Sequence, residues 1–301
     1  MDAKSPSITS RRRFLAGLGA AGAAAAAVGT VRAFGAENRP AGYGAGKSTT
    51  GAPDAATAGA PLPDWFPRQD PALVQQVVGA AHRDLAEVTR LVERRPELAK
   101  SQWDWGYGDW ESPLDAASHT GQREIALFVI RHGARPTIFS AAMLGQLEVV
   151  RQFVLASPGI QGTPGPHGIP LLAHAKAGGE PAAAVVDYLV SVGGADGPPR
   201  QQLAEAEHRR YLGAYRFGSG AGDVFEVTPL MKGLGIARRG GQARGLVPLG
   251  NHEFHPAGAP SVRVRFEAAG ELATSVAIYQ PELVVRATRV AAEATSPAAR
   301  R

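Results

Sequence analysis

The sequence predicts a chain that is α first and β second. Short paired helices occupy 64–197 and a small antiparallel β-barrel occupies 211–290. Three observations carry this. A helix–turn–helix unit with its start and stop signals in place lies at 112–134, and degraded copies of its turn recur on both sides. After Pro198-Pro199 the apolar period changes from helical to alternating. Eight short alternating segments separated by Gly-containing turns then fill the rest of the chain.

The unit at 112–134 justifies its helices residue by residue. Ser112 is a good N-cap, Pro113 suits the first helical position, and Asp115 can close a capping box. Gly121 ends the first helix in a left-handed turn. The second helix, 122–132, puts Ile125, Phe128 and Val129 on one face and stops at Gly133. Two short helices bury little surface alone, so the unit needs copies of itself alongside. Gly121-Gln122-Arg123-Glu124-Ile125 matches Gly145-Gln146-Leu147-Glu148-Val149, and Gly178-Gly179-Glu180 follows 33 residues after Gly145. Upstream, Glu87 in Asp84-Leu85-Ala86-Glu87-Val88 lies 37 residues before Glu124.

A period near 33 belongs to ankyrin repeats, and residues 64–197 resemble that family. Its Thr-Pro-Leu-His-x-Ala opening appears as Ser112-Pro113-Leu114-Asp115-Ala116-Ala117 and again as Ile169-Pro170-Leu171-Leu172-Ala173-His174. Its helix-two ending matches Val129-Ile130-Arg131-His132-Gly133-Ala134. The resemblance implies a helical solenoid of about four units that binds a protein partner. Asp115 and Leu172 stand where the family has His, and the unit at 136–157 has lost its Thr-Pro-Leu opening.

The first 36 residues read as an address. Ser10-Arg11-Arg12-Arg13-Phe14-Leu15 resembles the twin-arginine export motif, with Arg11 and Arg12 as its pair. An Ala/Gly-rich run from 16 to 31 follows, too weakly apolar for a stable membrane span. The resemblance implies a folded cargo in the periplasm or outside the cell. This segment carries five basic side chains and one acid, +4 of the formal +5, and leaves the remainder near +1. The basic balance therefore does not argue for nucleic acid. Cysteine is absent, which excludes disulfides, thiolate catalysis and cysteine-ligated metals. Residues 37–63, rich in Ala, Gly, Pro and Thr, read as a disordered linker, and 291–301 as a tail.

After a short polar linker helix at 198–210, strands are expected at 212–217, 224–229, 233–238, 243–248, 252–256, 262–267, 273–279 and 283–290. Their tight connections suggest an up-and-down meander closed into a barrel, which removes exposed sheet edges. Tyr211-Leu212-Gly213-Ala214-Tyr215 is similar to the Tyr-x-Gly-x-Tyr opening of a lipocalin-like domain, an accessory of bacterial beta-lactamase-like serine hydrolases. The Ser-x-x-Lys machinery of those hydrolases is missing, as is Gly-x-Ser-x-Gly, and Gly233-Leu234-Gly235-Ile236 is a turn between strands rather than a phosphate loop. No enzyme activity and no cofactor are expected.

No metal site is expected either. In a strand at 252–256, His252 and Phe254 share one face while Glu253 and His255 share the other, so the two histidines diverge. His82, His119 and His132 read as surface or turn positions of the helical units, and His167 and His174 lack a visible third ligand. The candidate binding residues are Trp103, Trp105, Tyr107 and Trp110, clustered where a hairpin would project from the array. Trp and Tyr bury area at little entropic cost and so favour binding, but the same residues can instead pack over the first unit or against the barrel. Two functions remain open. One is a non-catalytic protein-binding module. The other is a carrier of a small apolar ligand, or an enzyme-associated protein, that uses the barrel interior. Phe217, Phe225, Phe254 and Phe266 could fill that interior.

Overall fold

The computed structural model describes residues 61–199 and 201–290. The export signal with Arg11 and Arg12, most of the linker, and the tail lie outside the described residues.

Four helix pairs run first: α1 (Pro71–Ala80) with α2 (Leu85–Arg94), α3 (Pro113–His119) with α4 (Arg123–Arg131), α5 (Ile138–Met143) with α6 (Leu147–Ala156), and α7 (Leu171–Ala177) with α8 (Ala183–Val192). Side-chain caps start them. Asp70 and Asp84 accept backbone N–H groups at 2.9 Å at the heads of α1 and α2. At α3, Ser112 and Asp115 form the expected reciprocal capping box. Thr137 and Ser140 do the same for α5, so the unit that lost its Pro-Leu opening still has a start signal. The turn glycines do two jobs. Gly121 and Gly145 have φ of +72° and +73°, and a Cβ on either would come within 2.3 Å of the Ala177 carbonyl oxygen or 2.1 Å of that of Pro181. Glycine therefore permits both the left-handed turn and the close approach of the fourth pair.

Between the helices, Val77, Val88, Leu91, Leu114, Ile125 and Val129 form one buried cluster, and Val150, Leu171, Val185 and Leu189 anchor a second. Between the first two pairs, strands β1 (Trp103–Asp104) and β2 (Trp110–Glu111) make a hairpin, with Trp103 opposite Glu111. No helix among the described residues is long and apolar enough to cross a membrane.

After the short helix α9 (Glu205–His208) come eight antiparallel strands: β3 (Gly213–Arg216), β4 (Val224–Leu230), β5 (Gly233–Arg238), β6 (Arg244–Gly250), β7 (Glu253–Pro256), β8 (Arg263–Ala269), β9 (Leu272–Gln280) and β10 (Leu283–Arg289). Each pairs with its sequence neighbour, and β10 closes on β3 through Thr288 opposite Arg216. On β8, Val264 and Phe266 are buried while Arg263, Arg265 and Glu267 are exposed, the alternation a one-sided strand requires. The interior is filled by side chains. Tyr211 contacts Phe254 and Phe266 at ring-centre distances of 5.1 and 4.9 Å, and Tyr215 lies 5.7 Å from Phe266. At the closing seam, Arg289 donates to the Leu212 carbonyl at 2.7 Å and to the Tyr215 hydroxyl at 2.7 Å.

Candidate functional site

The hairpin at 103–111 joins the two halves, and its four aromatic residues have different surroundings. Asp104 Oδ1 accepts from the Gly106 and Gly108 backbone N–H groups at 2.8 and 3.2 Å and so shapes the tip. Trp103 and Trp105 pack against the helical core, whereas Tyr107 packs against the barrel core. Trp110 is 54% exposed. It faces a cleft of about 800 Å³ that runs from the helical pairs to the β6–β7 edge of the barrel, with Phe139, Pro166, Pro198, Leu249 and His255 among its walls.

Directly beside that cleft lies a polar cluster. Glu111, next to Trp110 on β2, is fully buried. Its Oε2 accepts the Trp105 indole N–H at 2.7 Å. Its Oε1 lies 2.8 Å from His119 Nε2 and 3.2 Å from His167 Nε2, and Oε2 lies 3.6 Å from His82 Nε2. These four residues place one donor atom each within 4.8 Å of one another, so they could hold a metal ion. His82 sits in the turn after α1, His119 ends α3, and His167 lies in a 3-10 turn (Pro166–Gly168) of the loop before α7. The expected surface or turn placement of His82 and His119 is thus half right. They are turn and helix-end residues, but their rings face inward because a buried carboxylate between the units draws them in.

A second carboxylate backs the first. Asp109, 4% exposed, accepts the His167 backbone N–H at 2.8 Å and faces His167 Nδ1 at 2.7 Å. Arg244 of β6 pairs with the same carboxylate and donates to the Ala257 carbonyl at 2.8 Å. His167 has φ +60°, a strained value for a side-chain-bearing residue, and the Asp109 contacts hold it there.

The electrostatics follow from this geometry. Burial opposes ionisation of Glu111, but hydrogen bonds and charges of His119, His167 and His82 outweigh it and hold the carboxyl at about 2. Burial also disfavours a charged His167, yet its two carboxylate partners push it up to about 9. The two shifts share the Glu111–His167 contact, but the hydrogen bond with His119 leads in lowering Glu111 and that with Asp109 leads in raising His167. His82 moves the other way, lowered by burial against the pull of Glu111. His174 is fully buried and neither ring nitrogen has a partner among the described residues. Burial and the neighbouring His119 push it down to about 3, so it stays neutral.

His252 and His255 diverge as expected, but not by strand alternation: the strand begins at Glu253, and His252 lies in the preceding turn with φ +61°. Phe254 is buried in the barrel, His252 bonds the Tyr211 hydroxyl at 2.8 Å, and His255 faces the cleft. Sequence reasoning missed the grouping of His82, Glu111, His119 and His167, yet one signal was present. His82 and His119 are 37 residues apart, the same offset that separates Glu87 from Glu124. They occupy equivalent positions in successive units, and stacking brings their ring centres to 5.0 Å. Glu111 and His167 lie on connections and carry no such signal. Comparisons with family models, curated proteins and solved structures give no match for this chain.

Proposed function

We propose that the chain is an exported, non-catalytic binding protein, in which an ankyrin-like helical array and a lipocalin-like barrel present a cleft to a protein partner. The observation that carries this reading is Trp110: a large aromatic, half-exposed, on the hairpin at the side of a deep apolar cleft. Exposed Trp beside an apolar concavity is the usual anchor of a protein interface. Export rests on the Arg11-Arg12 motif. Capture of partners from periplasmic extract by the wild-type chain and by Trp110→Ala tests the reading. A partner held by the first and released by the folded second supports it. A partner held equally by both removes Trp110 from the interface and overturns it. Replacing both Arg11 and Arg12 by Lys is expected to leave the protein in the cytoplasm, read by cell fractionation.

One observation favours a second reading. The cleft volume of about 800 Å³ suits a small apolar molecule. Such a ligand would sit between the helices and the barrel rather than inside the barrel, whose axis is filled by Tyr215, Phe254 and Phe266. Saturable binding of a neutral fluorescent hydrophobic probe, lost in Phe139→Ala and Trp110→Ala, distinguishes it.

A further inference from the structure

The hydrogen-bond partners of two of the clustered imidazoles decide which nitrogen each turns inward. His82 Nδ1 lies 3.1 Å from the Val78 carbonyl oxygen and 3.2 Å from that of Gly79. Both are acceptors, so the ring proton is on Nδ1 and the lone pair is on Nε2. His167 Nδ1 faces a carboxylate oxygen of Asp109 at 2.7 Å, which again puts the proton on Nδ1. The two Nε2 lone pairs then point at one carboxylate, Glu111, at 3.6 and 3.2 Å. Lone pairs facing a carboxylate repel. Without a cation His167 faces Glu111 through a second proton, and a cation among the three rings takes the place of that proton. We infer that His82, Glu111, His119 and His167 form a binding site for one divalent transition-metal ion of the zinc class.

The dimensions agree. Ligands about 2.0–2.1 Å from a tetrahedral ion lie about 3.3 Å from one another. The His119 and His167 nitrogens lie 2.8 and 3.2 Å from Glu111 Oε1, close to that value, and His82 Nε2 lies 3.6 Å from Oε2, with one donor atom of each residue within 4.8 Å of the others. Trp105 holds Glu111 Oε2, which leaves Oε1 where the His119 and His167 nitrogens meet. The outer shell has the form that metal sites use. The Asp109 carboxylate orients His167, main-chain carbonyls orient His82, and an indole orients the Glu. Asp109 is itself fixed by Arg244 and by the close approach of Gly258, where a Cβ would come within 2.3 Å of its carboxyl. Three imidazoles and one carboxylate suit zinc and its neighbours rather than calcium or magnesium, which take oxygen ligands. Four protein donors close the coordination shell, so the ion clamps four separated segments together, and through Asp109 and Arg244 it bears on the barrel.

The test uses the full-length chain, stripped with a chelator and titrated with zinc against a chromophoric competitor. One ion per chain is expected. His119→Ala should weaken binding by more than about 100-fold, and Asp109→Asn, which removes only an orienting charge, by about 10- to 100-fold. The double variant His132→Ala and His208→Ala, which leaves the cluster intact, should bind as the wild type does. Should His119→Ala fail to fold, cobalt substitution of the wild type decides. Intense visible bands of a tetrahedral ion support the site, and the weak spectrum of hydrated cobalt overturns it. Substoichiometric zinc in the wild type, or loss of zinc in the control double variant, also overturns it.

Discussion

His252 and His255 stand three residues apart and diverge, one onto a tyrosine and the other onto the cleft. His82 and His119 stand 37 residues apart and converge on one carboxylate. The barrel separates the first pair because His252 lies in the left-handed turn before β7 and His255 within the strand. The helical stack joins distant residues because successive units repeat the same position. Proximity along the chain is thus a poor guide to a ligand set, and repeat register is a better one.

The two buried and exposed glutamates sharpen that contrast most strongly. Glu111 is fully buried and faces three imidazoles and an indole. Glu253 is partly exposed on β7 and, among the described residues, forms its ion pair with Arg265. Removing one partner of a buried charged group costs about 3–5 kcal/mol, and an exposed pair is worth about 0–1 kcal/mol. Glu111→Ala should therefore lower the unfolding free energy by about 3–5 kcal/mol and Glu253→Ala by less than about 1, measured by urea denaturation. Equal effects would mean that the cluster is no more organised than the barrel surface.

Zinc affinity gives the next largest separation. His119→Ala should cost more than about 100-fold and His255→Ala nothing, because only the first ring lies within reach of Glu111. If both variants lose zinc, the sequence-adjacent pair on the barrel contributes to binding and the contrast between the two regions fails. Arg244→Met probes the link between them. It removes a partner of Asp109 and the 3.4 Å neighbour of His167 Nδ1 from the barrel side while leaving all four ligand side chains in place, so a loss of about 10-fold is expected, within the range of outer-shell changes.

How much of this was legible follows the same division. All eight strands and their order could be read from alternation and turn glycines, because a meander pairs each strand with its neighbour and local pattern is enough. The caps at Ser112 and Asp115 and the turns at Gly121 and Gly145 were equally local. Placement of the aromatic run was not. Whether Trp105 packs inward and Trp110 outward depends on which strand of the hairpin faces the helices, and both choices fit the sequence. Glu111 carried no mark, since a charged residue between Trp110 and an N-cap reads as surface until three imidazoles are found around it. His167 is set by a left-handed backbone that Asp109 holds from 58 residues away, a tertiary cause that no local pattern reports.

The smallest effect expected is a pH dependence, and it separates the metal-free cluster from the loaded one. Without metal, Glu111 is held at about 2 against an ordinary 4.5, so its contribution is complete above 4.5 and fades as pH falls toward 2. His167 is held at about 9 against an ordinary 6.5, so its contribution is complete below 6.5 and is lost as pH rises through 9. The two overlap fully between 4.5 and 6.5, and the Glu111–His167 contact they share counts once. His174, buried and pushed down to about 3, adds stability as pH rises toward 6.5, so in the presence of a chelator the melting temperature should peak near the upper end of that window and decline by a few degrees, on the order expected for about 1–2 kcal/mol, toward pH 9. Zinc takes His167 in its neutral form, so the loaded protein should show no such alkaline decline while its affinity rises with pH. A chelated protein that is most stable at pH 9 would show that His167 carries no stabilising proton. It would place the cluster with the barrel histidines, whose neighbours are a tyrosine and an open cleft rather than a shared carboxylate.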